Sequence, residues 1–265
     1  MSDYYQTRAA VDSVSVLKTE KLLKILIILA MSVAGAFILW ITIAPFTPFR
    51  RVDVNSTGEM SREQILEIAG ISKKSSFWMT NVQTVADNIM NLSFVKTATI
   101  QKHLPSRLEI NISTRDPVGA FLVFFENKYM TFFVDASGVV FESSRSYGGM
   151  PIISHSGMGT ITAGIRLPPS LNRFLVGLET IKTSNPELFA LISEIEIRWI
   201  TTYEDQNYKA YDVTLHLNTT TTDVRVKPDL SVSELKNMVL ELDALKRDGI
   251  TPKVLDKRSN VTAYY

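Results

Sequence analysis

Residues 25–44 have the sequence ILIILAMSVAGAFILWITIA and decide how the chain is organised, because no charged residue interrupts them. At 1.5 Å per residue, roughly 20 helical residues span the ~30 Å hydrocarbon core of a bilayer. Pro45 and Pro48 follow the run, and Trp40 lies near the same end, where an indole ring favours the membrane interface. Buried helices of soluble proteins rarely run this long without a polar face. The sequence therefore predicts a transmembrane helix at residues 25–45.

A cleaved signal peptide is the alternative, but its apolar region usually has only about 7–15 residues. Thr42-Ile43-Ala44 with Pro45 behind it is also a poor cleavage site. We therefore predict an uncleaved anchor with residues 1–24 as a cytoplasmic tail. Basic residues favour the cytoplasmic side of a span. Those before the span (Arg8, Lys18, Lys21 and Lys24) outnumber those just after it (Arg50 and Arg51), which favours a domain outside the cell membrane.

The composition restricts the class of protein further. A net charge of +1 gives no electrostatic reason to expect a nucleic acid as partner. The chain has no cysteine, which excludes a disulfide framework and thiolate metal sites. A eukaryotic extracellular domain of this size would more often carry disulfides, so a bacterial envelope is the simpler setting.

The first part of the ectodomain has the pattern strand, helix, helix, strand, strand. Residues 50–54 alternate as in a short strand. Ser61 and Gln64 have the spacing of a capping box, which starts a helix that ends at Gly70. A second amphipathic helix is predicted at residues 82–92. Strands follow at 95–103 and 107–114, where Leu108 and Ile110 alternate with polar residues.

The second part of the ectodomain is dominated by strands, and the whole chain is predicted to be α+β. Strands are predicted at 120–125, 129–134 and 139–141, and residues 144–169 are predicted to be an irregular loop because they are rich in Gly, Ser and Pro. Residues 192–200 and 208–218 are predicted to pair, with 224–226 joining them. Helices are predicted at 170–183 and, after a Ser231/Glu234 capping box, up to about residue 247. Extended segments at 254–256 and 260–265 complete a mixed β-sheet domain with helices.

The sequence contains no clear pattern of catalytic or metal-binding residues. His103, His155 and His216 are far apart in sequence, which favours structural or surface roles over metal binding. The carboxylate pairs Glu194/Glu196 and Glu241/Asp243 come without a plausible nucleophile and are interpreted as solvated faces. We therefore expect no catalytic residue, no metal, no cofactor and no small-molecule substrate, and we expect that the protein is not an enzyme.

Several segments in register resemble one family of bacterial proteins. They are FRRVDVN at residues 49–55, Gly70-Ile71, LSFVKTA at 92–98, KHLPSRL at 102–108, RDPVGA at 115–120 and FVDASGVVF at 133–141. In this order and spacing they resemble the cell-division protein family FtsQ, also called DivIB. Asp256-Lys257-Arg258 is similar to a family motif before the last strand, although Ser259 stands where an aromatic residue is common.

The resemblance implies a fold and a location. It implies a β-α-α-β-β POTRA domain at residues 49–116 and an FtsQ-type β domain at 117–265, both held outside the cytoplasmic (inner) membrane by a single span. It also implies a scaffold of the cell-division machinery, enriched at the division septum, which helps to link and regulate septal peptidoglycan synthesis. The implied partners are FtsB- and FtsL-like proteins, with membrane lipid around the anchor and further division proteins at the anchor and the POTRA domain.

The resemblance and the strand pattern together indicate a binding surface at the end of the chain. A terminal strand at a sheet edge offers unpaired backbone groups to a partner strand. The predicted contact residues for an FtsB-like partner are Asp256, Arg258, Ser259, Asn260, Val261 and Ala263, and Arg50 and Arg51 are predicted as a partner surface of the POTRA domain. The open alternative is that the terminal residues only complete the sheet.

Two other functions remain open at this point. A membrane-anchored POTRA chaperone or secretion-system subunit would have the same domain order. A wall-modifying enzyme would need catalytic residues that are distant in sequence.

Overall fold

The computed structural model describes residues 2–43, 47–57, 60–144, 148–157, 159–200, 210–259 and 262–265. Its first element is helix α1, Ser2–Ile43. Within α1, the 23 residues Lys21–Ile43 are apolar and long enough to cross a membrane. Their side chains are exposed in the described part of the chain. One helix of this kind fits the predicted single-pass anchor. Residues 44–46, which include the predicted end of the span, lie outside the described residues.

A three-stranded sheet follows the anchor. Strand β1 (Arg51–Asn55) runs parallel to β3 (Arg107–Thr114), and β2 (Val95–His103) pairs with β3 in antiparallel fashion, giving the order β1-β3-β2. Two helices, α2 (Arg62–Ile68) and α3 (Val82–Met90), pack against this sheet. The helices and the sheet share a hydrophobic core that is separate from the larger core of the protein.

Local signals set the ends of these helices. The Ser61 hydroxyl accepts from the Gln64 N–H at 3.3 Å, and the Gln64 side chain accepts from the Ser61 N–H at 2.9 Å, so the predicted capping box is present. Gly70 follows α2 with a φ of +69°, a left-handed conformation that favours glycine. The core consists of side chains from both helices and from the sheet, such as Ile65, Ile89 and Leu108.

The second sheet has nine strands in the order β12-β11-β10-β9-β8-β7-β4-β5-β6. The strands along the chain are β4 (Pro117–Phe125), β5 (Lys128–Asp135), β6 (Val140–Phe141), β7 (Ile152–Ser156), β8 (Ile192–Ile200), β9 (Ala210–Leu217), β10 (Asp223–Val226), β11 (Val254–Asp256) and β12 (Ala263–Tyr264). As predicted, β8 pairs with β9, and β10 joins them at the β9 side. The start of the predicted strand at 208–209 lies outside the described residues.

Strand β7 corrects the prediction of an irregular loop at 144–169. Ile152–Ser156 lies inside the sheet, parallel to both β4 and β8. Its register with β8 joins Ile153 to Ile195, and both side chains are buried. The Ser and His residues of this strand weaken any alternating pattern, so its strand character depends on the two neighbours and not on its own sequence. Residues 145–147 and 158 of the predicted loop lie outside the described residues.

Helices cover one face of the nine-stranded sheet. A 3₁₀ turn at Pro169–Leu171 leads into α4 (Asn172–Ser184), and α6 covers Val232–Arg247. The short helix α5 (Pro186–Phe189) was not predicted; the Asn185 side chain caps it by accepting from the Leu188 N–H at 3.0 Å. Apolar residues of α4 and α6, among them Phe174, Leu178 and Met238, pack on strand residues such as Ile195 and Leu215. These buried residues form the larger core of the protein.

Candidate partner-binding surface

Strand β12 lies at one end of the nine-stranded sheet, and among the described residues β11 is the strand that pairs with it. The Tyr265 N–H donates to the Val254 carbonyl at 3.2 Å, and the Val254 N–H donates to the Tyr265 carbonyl at 3.1 Å. In an antiparallel pair such bonded positions alternate along a strand. The N–H and C=O of Tyr264 therefore point away from β11, toward the open side of the sheet.

The opposite edge of the sheet is covered by the protein's own chain at β6. The Val140 N–H donates to the Ile165 carbonyl at 2.9 Å, and the Gly164 N–H donates to the Val140 carbonyl at 2.8 Å. The Leu167 N–H donates to the Gly138 carbonyl at 2.7 Å. Since an uncovered edge can pair with another chain, β12 is better placed for such pairing than β6.

An ion-pair cluster holds the turn that precedes β12. The Arg258 guanidinium donates to Asp256 through Nη2 at 2.6 Å and to Asp212 of β9 through Nη1 at 2.9 Å. These bonds from Arg258 hold the pKa of the Asp256 carboxyl below its usual value. The hydrogen bonds to Asp256 and Asp212 in turn raise the pKa of Arg258 above its usual value. Arg258 and Asp256 therefore fix the chain where it leaves β11, and the Arg258 side chain is 38% exposed.

A second contact joins this turn to helix α6. The Lys257 ammonium donates to Glu241 of α6 at 2.8 Å and to the Thr262 hydroxyl. The Lys257 N–H donates to the Arg225 carbonyl of β10 at 2.9 Å. Neither Lys257 nor Glu241 was predicted to belong to the surface. Their spacing of 16 positions gives no local signal, and the contact follows only from the packing of α6 beside the sheet.

Two tyrosines that the sequence analysis did not single out complete the surface. Tyr264 is 52% exposed and Tyr265 is 65% exposed, and Ala263 and Ser259 are exposed as well. Aromatic residues are enriched where proteins bind one another, which is the signal that could have identified them. The predicted contact residues Asn260 and Val261 lie outside the described residues.

The predicted POTRA surface is separate from this edge, because Arg50 and Arg51 lie at the start of β1 in the three-stranded sheet. Arg51 donates to Asp53 at 2.7 Å, and Arg107 donates to the other oxygen of Asp53 at the same distance. The hydrogen bond from Arg51 is the main reason that the pKa of Asp53 lies below its usual value. The Arg51 side chain remains 71% exposed, and Arg50 is exposed too.

The three histidines lie in three different strands, β2, β7 and β9. His103 lies 3.1 Å from Glu109, and His216 lies 3.0 Å from Asp223, each as a pair on the surface of a strand. His155 packs against the Phe121 ring, and burial lowers its pKa. Within the described ranges, no group of three or more His, Asp or Glu side chains has the geometry to hold a metal ion.

Comparisons with known proteins identify the domain that contains the three-stranded sheet. A family model described as "POTRA domain, FtsQ-type" matches residues 47–115. The chain is 30% identical over 69 residues to "Cell division protein DivIB" of Geobacillus kaustophilus (strain HTA426), which is 26% of each chain. It is 25% identical over 114 residues to the DivIB of Clostridium tetani (strain Massachusetts / E88), covering 43% of this chain and 42% of that protein.

A further relative carries the other family name. "Cell division protein FtsQ" of Mycolicibacterium smegmatis (strain ATCC 700084 / mc(2)155) is 30% identical over 88 residues, 33% of this chain and 26% of that protein. The chain thus spans less than half the length of these curated relatives. The family model and the relatives support the FtsQ/DivIB family, and they confirm the predicted resemblance.

Proposed function

From this similarity to the FtsQ/DivIB family, we propose that the protein is a single-pass membrane scaffold of the bacterial cell-division machinery. It links and regulates septal peptidoglycan synthesis by binding other division proteins and performs no catalysis itself. Its tail faces the cytoplasm and its two domains face outward, in line with the basic residues that precede the span. The observation that carries the proposal is the open β12 edge at the end of the nine-stranded sheet.

The proposed mechanism is addition of a partner strand to β12, with an FtsB-like protein as the partner. The outward N–H of Tyr264 donates a backbone hydrogen bond to the incoming strand, and its outward C=O accepts one from that strand. Each backbone hydrogen bond contributes only about 0.5–1.5 kcal/mol, so a strand as short as β12 needs side-chain contacts as well. The exposed Tyr264 and Tyr265 rings supply apolar area for them.

The predicted contact residues have two roles in this mechanism. Ser259 and Ala263 are exposed and contact the partner directly, as Asn260 and Val261 are predicted to do. Asp256 and Arg258 act mainly by positioning the turn, because their charged groups bind each other. Arg50 and Arg51 remain a proposed second contact, for division partners that approach the POTRA domain.

A proline at residue 264 tests the edge directly. Tyr264→Pro removes the outward N–H but leaves the bonds between Tyr265 and Val254 in place. We expect co-purification of an FtsB-like partner to fall about tenfold or more, which corresponds to about 1.4 kcal/mol. Tyr264→Ser is the matched control, because it removes the ring but keeps the backbone N–H. Deletion of residues 259–265 should abolish binding while the POTRA domain stays folded. Undiminished binding by the proline variant and the deletion would rule out the edge mechanism.

A fluorescent fusion imaged in dividing cells tests the wider role. A division scaffold is enriched at the septum, whereas an anchored POTRA chaperone or secretion subunit is spread around the envelope. Peptidoglycan hydrolysis by the purified protein would instead establish a wall-modifying enzyme.

A further inference from the structure

The chain that leaves the membrane is fixed to one end of the POTRA domain. The Phe77 N–H donates to the Thr47 carbonyl at 2.9 Å, and Pro48 forms a β-bridge with Ser76. The Arg50 N–H donates to the Ser106 carbonyl at 2.9 Å, which places the turn between β2 and β3 beside the same segment. The loop at 71–80 and this turn therefore form the end of the domain nearest the anchor.

The tether to the span is too short to let this end move far from the bilayer. Helix α1 ends at Ile43, and a chain of four residues reaches at most about 14 Å to Thr47. The headgroup layer on each side of the hydrocarbon core is about 5–8 Å thick. The Trp78 ring also lies 5.4 Å from the ring of Trp40, in the last turns of α1. Trp78 is therefore at the depth where the span enters the headgroups.

The exposed side chains here include three large apolar residues and two lysines. Met79 is 72% exposed, Leu104 is 75% exposed and Trp78 is 43% exposed. Lys73 and Lys74, in the same loop, are exposed as well. In water such apolar exposure is unfavourable, whereas Trp side chains and lysines next to apolar residues are typical of membrane interfaces.

We propose that this end of the POTRA domain binds the bilayer surface, with anionic lipid headgroups as the ligand. This membrane-proximal face consists of Lys73, Lys74, Trp78, Met79 and Leu104. Trp78, Met79 and Leu104 enter the headgroup layer, and the two lysines bind lipid phosphates. The face holds the POTRA domain at a fixed orientation to the membrane. The proposal needs α1 to span the bilayer, but it is independent of the cell-division role.

Nitroxide labels on the full chain in lipid vesicles test this face. Because the chain has no cysteine, Met79→Cys and Leu104→Cys each take a label at one site. Thr97→Cys is the control, since Thr97 is exposed near the opposite end of β2. In vesicles of phosphatidylglycerol and phosphatidylcholine, we expect the labels at 79 and 104 to be reached by oxygen more than by a water-soluble nickel chelate. The label at 97 should give the reverse result.

The charge dependence is tested by removing the lysines. An anionic surface attracts each nearby lysine by a factor of roughly five, so Lys73→Gln with Lys74→Gln should lower the ratio of docked to undocked protein roughly 25-fold. Lys236→Gln with Lys246→Gln removes the same charge from α6 and should change nothing. Because no other protein is present, a protein partner cannot produce the result. Equal nickel accessibility at 79, 104 and 97, or equal effects of the two lysine pairs, would overturn the proposal.

Discussion

Asp135 is a buried carboxylate at the end of β5, and its charge is compensated from three sides. It accepts hydrogen bonds from the Arg115 guanidinium and the Ser137 hydroxyl, both at 2.7 Å, and from the Val139 N–H at 3.0 Å. Burial alone would raise the pKa of Asp135, but these bonds outweigh it and hold the pKa below its usual value. Arg115 also donates to the Ser93 carbonyl at 3.0 Å. The ion pair therefore connects the POTRA domain to the second sheet.

Removing the Asp135 charge should be costly. Asp135→Asn leaves Arg115, whose side chain is only 15% exposed, without its ionic partner. We expect the free energy of unfolding at pH 7 to fall by about 2–3 kcal/mol, measured by urea denaturation. Because the folded pKa is lowered, this stabilisation is present above the unfolded pKa of about 3.9 and is lost as the pH falls through the folded pKa. The variant should lack that acid-dependent loss.

The neighbouring Asp116 provides the control for this prediction. It binds Lys182 at 2.6 Å, but its side chain is 66% exposed. Asp116→Asn should therefore cost no more than about 1 kcal/mol. Equal losses for the two variants would show that burial of the Asp135 pair does not matter.

At the scale of elements, strong local sequence signals were sufficient to predict a helix or a strand. The capping boxes at Ser61 and Ser231 gave the starts of α2 and α6, and alternation gave strand β3. Strand β7 was missed because its pairing partners, β4 and β8, lie far away along the chain. The ion pair between Arg258 and Asp212 was missed for the same reason, since the two residues are 46 positions apart.

Gly177 shows how packing overrides helix propensity. It lies inside α4, where glycine costs about 1 kcal/mol relative to alanine. A Cβ atom at this position would lie 2.4 Å from the Leu230 carbonyl oxygen, so the glycine lets α4 approach the segment before α6. A backbone atom cannot move aside as a flexible side chain can.

We therefore expect Gly177→Ala to destabilise the protein although alanine is the better helix former. The overpacking term is about 1–3 kcal/mol and should exceed the propensity gain, giving a net loss of up to about 2 kcal/mol in urea denaturation. Val176→Ala, at an exposed position of the same helix, should change stability by less than about 0.5 kcal/mol. A stabilised Gly177→Ala variant would contradict the close approach.

For the molecule as a whole, the sequence was enough to predict an anchor and two successive α+β units, because each unit has its own periodic pattern. It could not give the order of strands in the second sheet, since that order depends on pairings between distant segments. It also did not reveal that residues 164–167 cover β6, whereas no described strand pairs with the outer side of β12. The candidate site was predicted from the family resemblance, and its two tyrosines became evident only from their exposure.

The contact between the two domains determines how the β12 edge is oriented relative to the membrane-proximal face. Domains in one chain move relative to each other by default unless their interface is extensive. Phe94, at the end of the POTRA domain, packs both against its own core and against a small cluster of Ala120, Phe133 and Phe141 in the second sheet. With the Arg115–Asp135 pair beside it, Phe94 should hold the β12 edge at a fixed orientation to the membrane-proximal face.

Phe94→Ala should loosen the domains without unfolding either one. We expect nitroxides at Thr97→Cys and Lys128→Cys, both exposed and one in each domain, to give a broader distance distribution in pulsed electron spin resonance. The larger core does not include Phe94, so we expect the variant to lower the urea resistance of the second sheet only slightly. Phe124→Ala removes an equal ring from the exposed end of β4 and should leave the distances unchanged. If both variants give the parent distribution, the Arg115–Asp135 pair alone fixes the domains, and Asp135→Asn should then produce the broadening that Phe94→Ala does not.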